Sequence, residues 1–272
     1  MNYLNPIKKK PKLYGKNSFS NYRKQQEEKH HKKNKNNSLF DSVLTIEINL
    51  TELCNRKCSF CPRVDPKIYP NQPLNMSIEV AKKIASNIGS ENYKGRISFS
   101  GYGENLMNKN FAYIVSEFRK ALSDDVIIEC NTNGDFLTSK TISNLYESGM
   151  TYLYVNLYDS EVQVDKFNDL FKKASAQEGT WTLRRHYDEK DYGLFLNNRS
   201  GLVKWIKTDS KIDQQCFYPF YKMMVDYNGN VLFCSNDWGR EHIVGNLLHH
   251  SVRKIWLSEK MHDFRIKLIS GD

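Results

Sequence analysis

From Leu39 onward the apolar positions switch between two periods. Short β-rich runs predict five strands: TIEINL at 45–50, GRISFSG at 95–101, VIIECN at 126–131, YLYVNLYD at 152–159 and TWTLRRHY at 180–187. Between them, MSIEVAKKIASNI (76–88) sets Ile78, Ala81, Ile84, Ala85 and Ile88 near helical spacing. NKNFAYIVSEFRKAL (108–122) predicts a helix capped by Asn108, TSKTISNLYESG (138–149) one that opens at Thr138 and closes at Gly149, and 161–176 a further helix. Strand–helix–strand repetition implies parallel strands with crossover helices. Five or six such units are too few to close an eight-unit barrel, so the expected fold is α/β, an open, partial (β/α)6 barrel. In such a barrel chemistry gathers at the C-terminal strand ends. There the polar stretches CNRKCSFC, GYGEN, NTNGD and YDSE follow strands one to four.

Around Lys211 the rhythm changes. Asn228-Gly229 lies between MMVDY and NVLFC, a strong local signal for a β-hairpin. A final helix over SVRKIWLSEKMHDFRIKL would place Val252, Ile255, Trp256, Met261 and Phe264 on one side. The expected organisation is a tail at 1–40, an α/β core at 41–200 and a small hairpin-plus-helix domain at 201–272.

Charge changes the picture only at the N-terminus. The 272 residues carry a net +9, and residues 1–40 hold ten Lys, one Arg and two Glu, so the whole excess lies there and the body is neutral. The tail is Lys- and Asn-rich with few aliphatics, which offers little burial against its ordering entropy, and it is expected to be disordered. A solvated extension is preferred over an electrostatic arm, so nucleic acid is not an expected partner. No run approaches the roughly 18 apolar residues of a membrane span, and the N-terminus has no apolar signal region, so no membrane partner and a cytoplasmic location are expected. In a reducing compartment a tight cysteine cluster reads as metal-binding or redox-active.

Cys54, Cys58 and Cys61 form Cys-x3-Cys-x2-Cys. Thiolates suit iron–sulfur clusters, zinc or copper(I), and structural zinc would need a fourth ligand that Cys130 or a distant His could supply. A 4Fe-4S cluster held by three thiolates leaves one iron open, so for it the shortage is a requirement. The stretch CNRKCSFC, placed after the first strand and with the aromatic Phe60 before its last cysteine, resembles the cluster loop of the radical S-adenosylmethionine (radical SAM) superfamily. Three further stretches resemble that family in order. Ser100-Gly101-Tyr102-Gly103-Glu104 is similar to its Gly-Gly-Glu region, Asn131-Thr132-Asn133-Gly134 to the end of its third strand, and Asn156-Leu157-Tyr158-Asp159 to the end of its fourth. The resemblance spans about 41–200. It implies that Cys54, Cys58 and Cys61 hold a 4Fe-4S cluster and that Phe60, Gly101, Gly103, Glu104, Asn131, Asn133, Asn156 and Tyr158 contact S-adenosylmethionine (SAM). Tyr102 departs from the pattern, replacing a glycine and adding bulk beside the cofactor.

The C-terminal stretch, with Cys216, Pro219-Phe220, Gly229, Cys234, Asp237, Gly245-Asn246 and Ile255-Trp256, resembles the SPASM and twitch domains of the same superfamily. That resemblance implies a second 4Fe-4S cluster on Cys216 and Cys234. Two thiolates do not close a cluster, and several readings stay open. The sequence in hand ends before the last ligands, which is preferred; or Cys130 or a non-cysteine ligand joins them; or the cluster is lost and the domain persists as a lid; or the two are core cysteines.

By resemblance, a reduced cluster cleaves SAM and the 5′-deoxyadenosyl radical takes a hydrogen atom from a substrate carbon, with flavodoxin or ferredoxin as the reductant. For the substrate, strand alternation sends only one of Arg184 and Arg185 toward the pocket, and Arg184 and Arg199 are the candidate substrate-binding cations, with His186 beside them. The expected function is oxidation or rearrangement of a polar small molecule such as a sugar, aminosugar or cyclitol. The alternatives are a peptide-modifying maturase of the same superfamily and, in another class, a zinc-stabilised nucleic-acid-binding protein.

Overall fold

A computed structural model describes residues 42–188, 198–206 and 216–270; the expected tail lies outside them. Five parallel strands, β1 (Thr45–Ile48), β2 (Arg96–Phe99), β3 (Ile127–Thr132), β4 (Tyr152–Leu157) and β5 (Trp181–Arg185), are joined in turn over the first four crossovers by α1 (Ile78–Ser90), α2 (Phe111–Ala121), α3 (Ser139–Glu147) and α4 (Val162–Lys173). The C-terminal part supplies β6 (Lys222–Val225), β7 (Asn230–Leu232), β8 (Ile243–Asn246), α5 (Val252–Trp256) and α6 (Glu259–Ser270). One eight-stranded sheet results, in the order β5-β4-β3-β2-β1-β6-β7-β8, mostly parallel and open, as the expected partial barrel requires.

β6 pairs in parallel with β1, from Thr45 opposite Lys222 to Ile48 opposite Val225. The strand that opens the C-terminal hairpin is thus the sixth parallel strand, and it covers an edge of β1 that would otherwise present unpaired backbone groups. Asn228-Gly229 makes the predicted turn. Gly229 takes φ +81°, and the Asp226 carboxylate accepts from the backbone N–H of Asn228 and Asn230 at 2.9 and 3.0 Å.

The period of two along each strand divides the sheet into two chemistries. Ile46, Ile48, Ile97, Phe99, Ile128, Leu153, Val155 and Leu157 are all fully buried and pack under the helices, against Ile84 and Ile88 of α1 and Ile114 and Phe118 of α2. Phe99 meets Phe111 and Phe118 edge-on at 5.2 and 5.3 Å. Burial of each such side chain contributes roughly 1.5–3 kcal/mol. The alternate positions Glu47, Ser98, Glu129, Asn131, Tyr154, Asn156 and Arg184 face the opposite side and line a cavity.

Local signals hold at most helix starts. Ser77 caps α1 by accepting from Val80 N–H at 3.2 Å, and Thr138 caps α3 through Thr141 N–H at 3.1 Å. Asn108 does not cap α2, which begins at Phe111. Its buried side chain instead donates to the carbonyls of Leu50 and Met76 at 3.3 and 3.2 Å, tying the segment after β1 to the one before α1. The predicted last helix is divided at Leu257–Ser258, where the Ser258 hydroxyl accepts from Met261 N–H and starts a second helix. Among the described residues no helix is long and apolar enough to cross a membrane.

Candidate active site

The loop that follows β1 carries the three cysteines and is tied down from both sides. Asn71 accepts from Cys54 N–H at 2.8 Å and donates back to the Cys54 carbonyl at 3.1 Å. Arg56 forks onto two carboxylates. It meets both oxygens of Asp135, after β3, at 2.6 Å, and those of Asp159, after β4, at 2.9 and 2.8 Å. Its guanidinium holds both carboxyls below their usual range. Asn55 adds a bond to Asp135 and accepts one from Asn133 at 2.9 Å. The loop is therefore anchored to the ends of β3 and β4 before any ligand arrives.

All three thiols are partly buried and line the mouth of the cavity. Burial pushes up Cys54 and Cys61, and it pushes Cys58 up to about 11, the neighbouring Cys61 and Cys54 adding to the effect. The neutral thiol is thus favoured at Cys58 in the folded apoprotein. Its contribution to stability is present below the ordinary thiol value and is lost as pH rises through about 11. A measurable consequence is slow alkylation. At neutral pH iodoacetamide should label Cys58 roughly 100-fold more slowly than a free cysteine, with the rate rising about tenfold per pH unit toward pH 11, followed by mass spectrometry. An unshifted pH–rate profile would contradict this.

The loop after β2 is pressed against the first. Gly101 has φ +136°, a conformation that L side chains rarely adopt, and a Cβ on Gly103 would fall 2.1 Å from the Thr51 carbonyl. Asn49 accepts from the N–H groups of Tyr102 and Gly103 at 2.9 and 3.2 Å. Glu104 is fully buried. Its carboxylate accepts from Thr132 Oγ1 at 2.7 Å, Asn133 N–H at 2.8 Å and Leu106 N–H at 3.2 Å, while burial still raises its pKa. Tyr102 lines the cavity together with Trp238. Its ring packs on Trp238 at 4.5 Å, and its hydroxyl donates to the Asp237 carbonyl at 3.0 Å, because the C-terminal segment offers an aromatic surface there.

Beneath the two loops a cavity of about 580 Å³ runs down the inner face of the strands. Asn131 accepts from Arg184 Nη1 at 2.6 Å and donates to Ser98 at 3.3 Å, and the Arg184 guanidinium lies 3.7 Å from the centre of the Tyr154 ring. Asn156 donates to the Thr132 carbonyl and meets His186 Nε2 at 3.0 Å. Tyr158 is sandwiched between His186 at 5.2 Å and Phe60 at 5.6 Å. Arg199 reaches the cavity from the segment after β5 and donates to Asn236 at 3.3 Å. Arg185 faces the other way and pairs with Glu161 at 3.4 Å, as strand alternation demands.

The lower half of the cavity was not singled out in advance. There Lys222 of β6 pairs with Glu47 at 2.5 Å, Ser100 donates to Glu47, and Arg96 faces Glu129 at 3.4 Å. The available signal was a carboxylate at the alternate position of an otherwise β-rich run, in TIEINL and VIIECN.

The other cysteines separate clearly. Cys130 is fully buried on the helix-facing side of β3, with Asn105 Nδ2 at 3.6 Å from its sulfur, so the sheet parts it from the cavity and the reading that recruits it as a ligand fails. Cys216 and Cys234 lie within electrostatic reach of each other outside the cavity, both thiols raised by burial. Among the described residues no three His, Cys, Asp or Glu side chains converge on a point that one metal ion would fill. Three soft sulfur donors about one mouth fit a multi-iron cluster, in which each cysteine holds a different iron.

Fold and site together define an open-barrel enzyme that holds a sulfur-ligated cofactor above a polar, ligand-sized lumen. The radical SAM superfamily model matches residues 48–180, and the model of the iron–sulfur cluster-binding domain SPASM matches residues 216–271. The chain belongs to the radical SAM superfamily and carries a SPASM-type domain; its cofactors are 4Fe-4S clusters and SAM, and the zinc-stabilised nucleic-acid-binding alternative is overturned. It is similar to the S-adenosyl-L-methionine-dependent 2-deoxy-scyllo-inosamine dehydrogenase of Niallia circulans, 29% identical over 83% of this chain and 87% of that one. The crystal structure of BtrN in complex with AdoMet and 2-DOIA superposes with a TM-score of 0.69 at 26% identity, covering 83% of this chain and 87% of that one. Native anSMEcpe with bound AdoMet shares the fold, with a TM-score of 0.58 at 13% identity over 81% and 82% of the two chains.

Proposed function

We propose that this enzyme dehydrogenates an alcohol carbon of an amino-bearing polyol, a cyclitol or a sugar. Cys54, Cys58 and Cys61 would hold the 4Fe-4S cluster, and Phe60, Gly101, Gly103, Glu104, Asn131, Asn133, Asn156 and Tyr158 would form the SAM cradle. When bound, the reduced cluster supplies the electron that cleaves SAM, whose 5′-deoxyadenosyl fragment accepts a hydrogen atom from the substrate. A second cluster, held in part by Cys216 and Cys234, would supply the electron sink that a two-electron oxidation needs. A cytoplasmic setting and a flavodoxin- or ferredoxin-type reductant belong to the same reading.

The observation that carries the substrate class is the paired chemistry of the lumen. Two of its carboxylates have a cation beside them, Glu47 with Lys222 and Glu129 with Arg96, and Ser98, Ser100, Asn131, Asn156, Tyr154 and Arg184 add further polar groups to the lining. Alternating donors and acceptors suit a ring carrying hydroxyls and an ammonium group. Arg184 and Arg199 would orient the hydroxyl face. The similarity to the inosamine dehydrogenase supports the same class.

The test is anaerobic reconstitution followed by assay with 2-deoxy-scyllo-inosamine under a strong reductant. One ketone per 5′-deoxyadenosine is expected, and SAM cleavage that this substrate neither stimulates nor couples to ketone formation would refute the proposal. Glu47→Gln should then raise KM by ~10-fold or more, the scale of a lost charge-assisted hydrogen bond, while the SAM dissociation constant stays within about twofold.

A further inference from the structure

Glu52 is 3% exposed, and the proposed chemistry makes no use of it. Four donors converge on its carboxylate. Oε1 accepts from Asn49 Nδ2 at 2.7 Å and from Arg240 Nη2; Oε2 accepts from Arg63 Nη2 at 3.3 Å and from the Tyr69 hydroxyl. Asn49 and Arg63 are themselves buried, so the carboxylate is shielded from water, with Tyr69 and Arg240 half-buried at its outer side.

Two of the donors are bound at their other ends to the cofactor loops, and a third to the C-terminal hairpin. Asn49 holds the N–H groups of Tyr102 and Gly103. Arg63 donates through Nε to the Tyr102 carbonyl at 2.6 Å and through Nη1 to Asn71 at 3.1 Å, and Asn71 in turn grips the backbone of Cys54. Arg240 comes from the C-terminal part of the chain, where its Nε donates to Asp226 of the hairpin turn at 3.1 Å. It stands at φ +56°, a left-handed conformation uncommon for a non-glycine residue, at the end of a turn that begins at Cys234. The same turn touches the cofactor side twice more, through Trp238 on the Tyr102 ring and the Tyr102 hydroxyl on Asp237.

A buried ionic junction is a weak source of stability, since its desolvation cost offsets most of the Coulombic gain, and apolar residues of the same volume would serve a core as well. What it does supply is a single geometry, because moving any one donor leaves a buried charge unsatisfied. We propose that Arg240 is a positioning residue for the cofactor site. Acting through Glu52, the turn that carries Arg240 sets the backbone at Cys54 and at Tyr102–Gly103, and with it the affinity for SAM. The proposal rests on the assignment of SAM to the Gly101–Glu104 loop.

The test uses the full chain, reconstituted anaerobically with iron and sulfide, and measures SAM affinity by titration calorimetry alongside the melting temperature, iron per chain and the electron paramagnetic resonance change on adding SAM. Arg240→Met should raise the SAM Kd tenfold or more and shrink the spectroscopic change, with the Cys54 cluster retained. Arg240→Lys, which keeps a cation on Glu52, should recover the Kd to within about threefold of wild type. Glu52→Gln keeps the shape of the junction, removes its charge and should raise the Kd about threefold or more in a folded protein, so it decides the matter if Arg240→Met does not fold. A lower melting temperature with unchanged SAM Kd in these variants would reduce Arg240 to a structural role and overturn the proposal. Failure of the wild-type, cluster-loaded protein to bind SAM would instead overturn the functional reading on which it rests.

Discussion

Cys58→Ala should lose the iron of one whole cluster and drop 5′-deoxyadenosine formation by on the order of 10⁴-fold or more, about 5 kcal/mol in the activation barrier. Cys58 is the middle member of the three thiols at the cavity mouth, on a loop already locked by Arg56 to Asp135 and Asp159. With Cys58 gone, Cys54 and Cys61 are two ligands for a cluster that needs three, and no other thiol can move in. Cys130 is on the far side of the sheet, and Cys216 and Cys234 lie outside the cavity. The fold itself should be little affected, because Cys58 is only partly buried and makes no core contact. Iron analysis and product assay read the loss. The matched control is Cys130→Ala, which should keep its iron and activity and cost about 1 kcal/mol of stability as a small core truncation. Iron retained in the first variant, or lost in the control, would contradict the assignment of these cysteines.

The second large effect is expected at Gly103→Ala, with about 3 kcal/mol of destabilisation and at least ~10-fold weaker SAM binding. The reason is contact and not backbone strain. A Cβ at this position would stand 2.1 Å from the Thr51 carbonyl oxygen and 2.7 Å from that of Leu53. Neither oxygen can retreat, since Leu53 accepts from Glu104 N–H at 2.8 Å and Thr51 is bridged to Asn75. The loop after β2 must then lift off the loop after β1, which separates Glu104 from the cysteines. Urea unfolding and a SAM titration measure the two consequences. Gly179→Ala is the comparison, because a Cβ there meets nothing within 4 Å and only its positive φ is strained, at a cost of about 1 kcal/mol.

The two effects differ in how visible they are from the chain. The role of Cys58 is written in a spacing of eight residues after a strand, and Gly101 and Gly103 could be singled out by their place after the next strand. The cause of the Gly103 effect could not be, because it lies in two carbonyls some fifty residues away. Tyr102 shows the same limit. Its place beside the site could be read, but not the packing of its ring on Trp238, a partner 136 positions along the chain. Asn108 had the residue type of a helix cap and was claimed by Leu50 and Met76 instead.

By itself the sequence determined the strand–helix alternation, the caps at Thr138 and the turn at Asn228-Gly229, and the three-cysteine loop at the end of the first strand, because each is set by periodicity or backbone preference within a few residues. Only the tertiary structure decided that β6 completes the parallel sheet beside β1, that the inner face is a lumen of paired charges such as Glu47 with Lys222, and that Glu52 gathers Asn49, Arg63, Tyr69 and Arg240. Strand edges and buried charges must be satisfied by whatever the fold brings near, and partners as far along the chain as Lys222 from Glu47 or Arg240 from Glu52 leave no local periodicity to read.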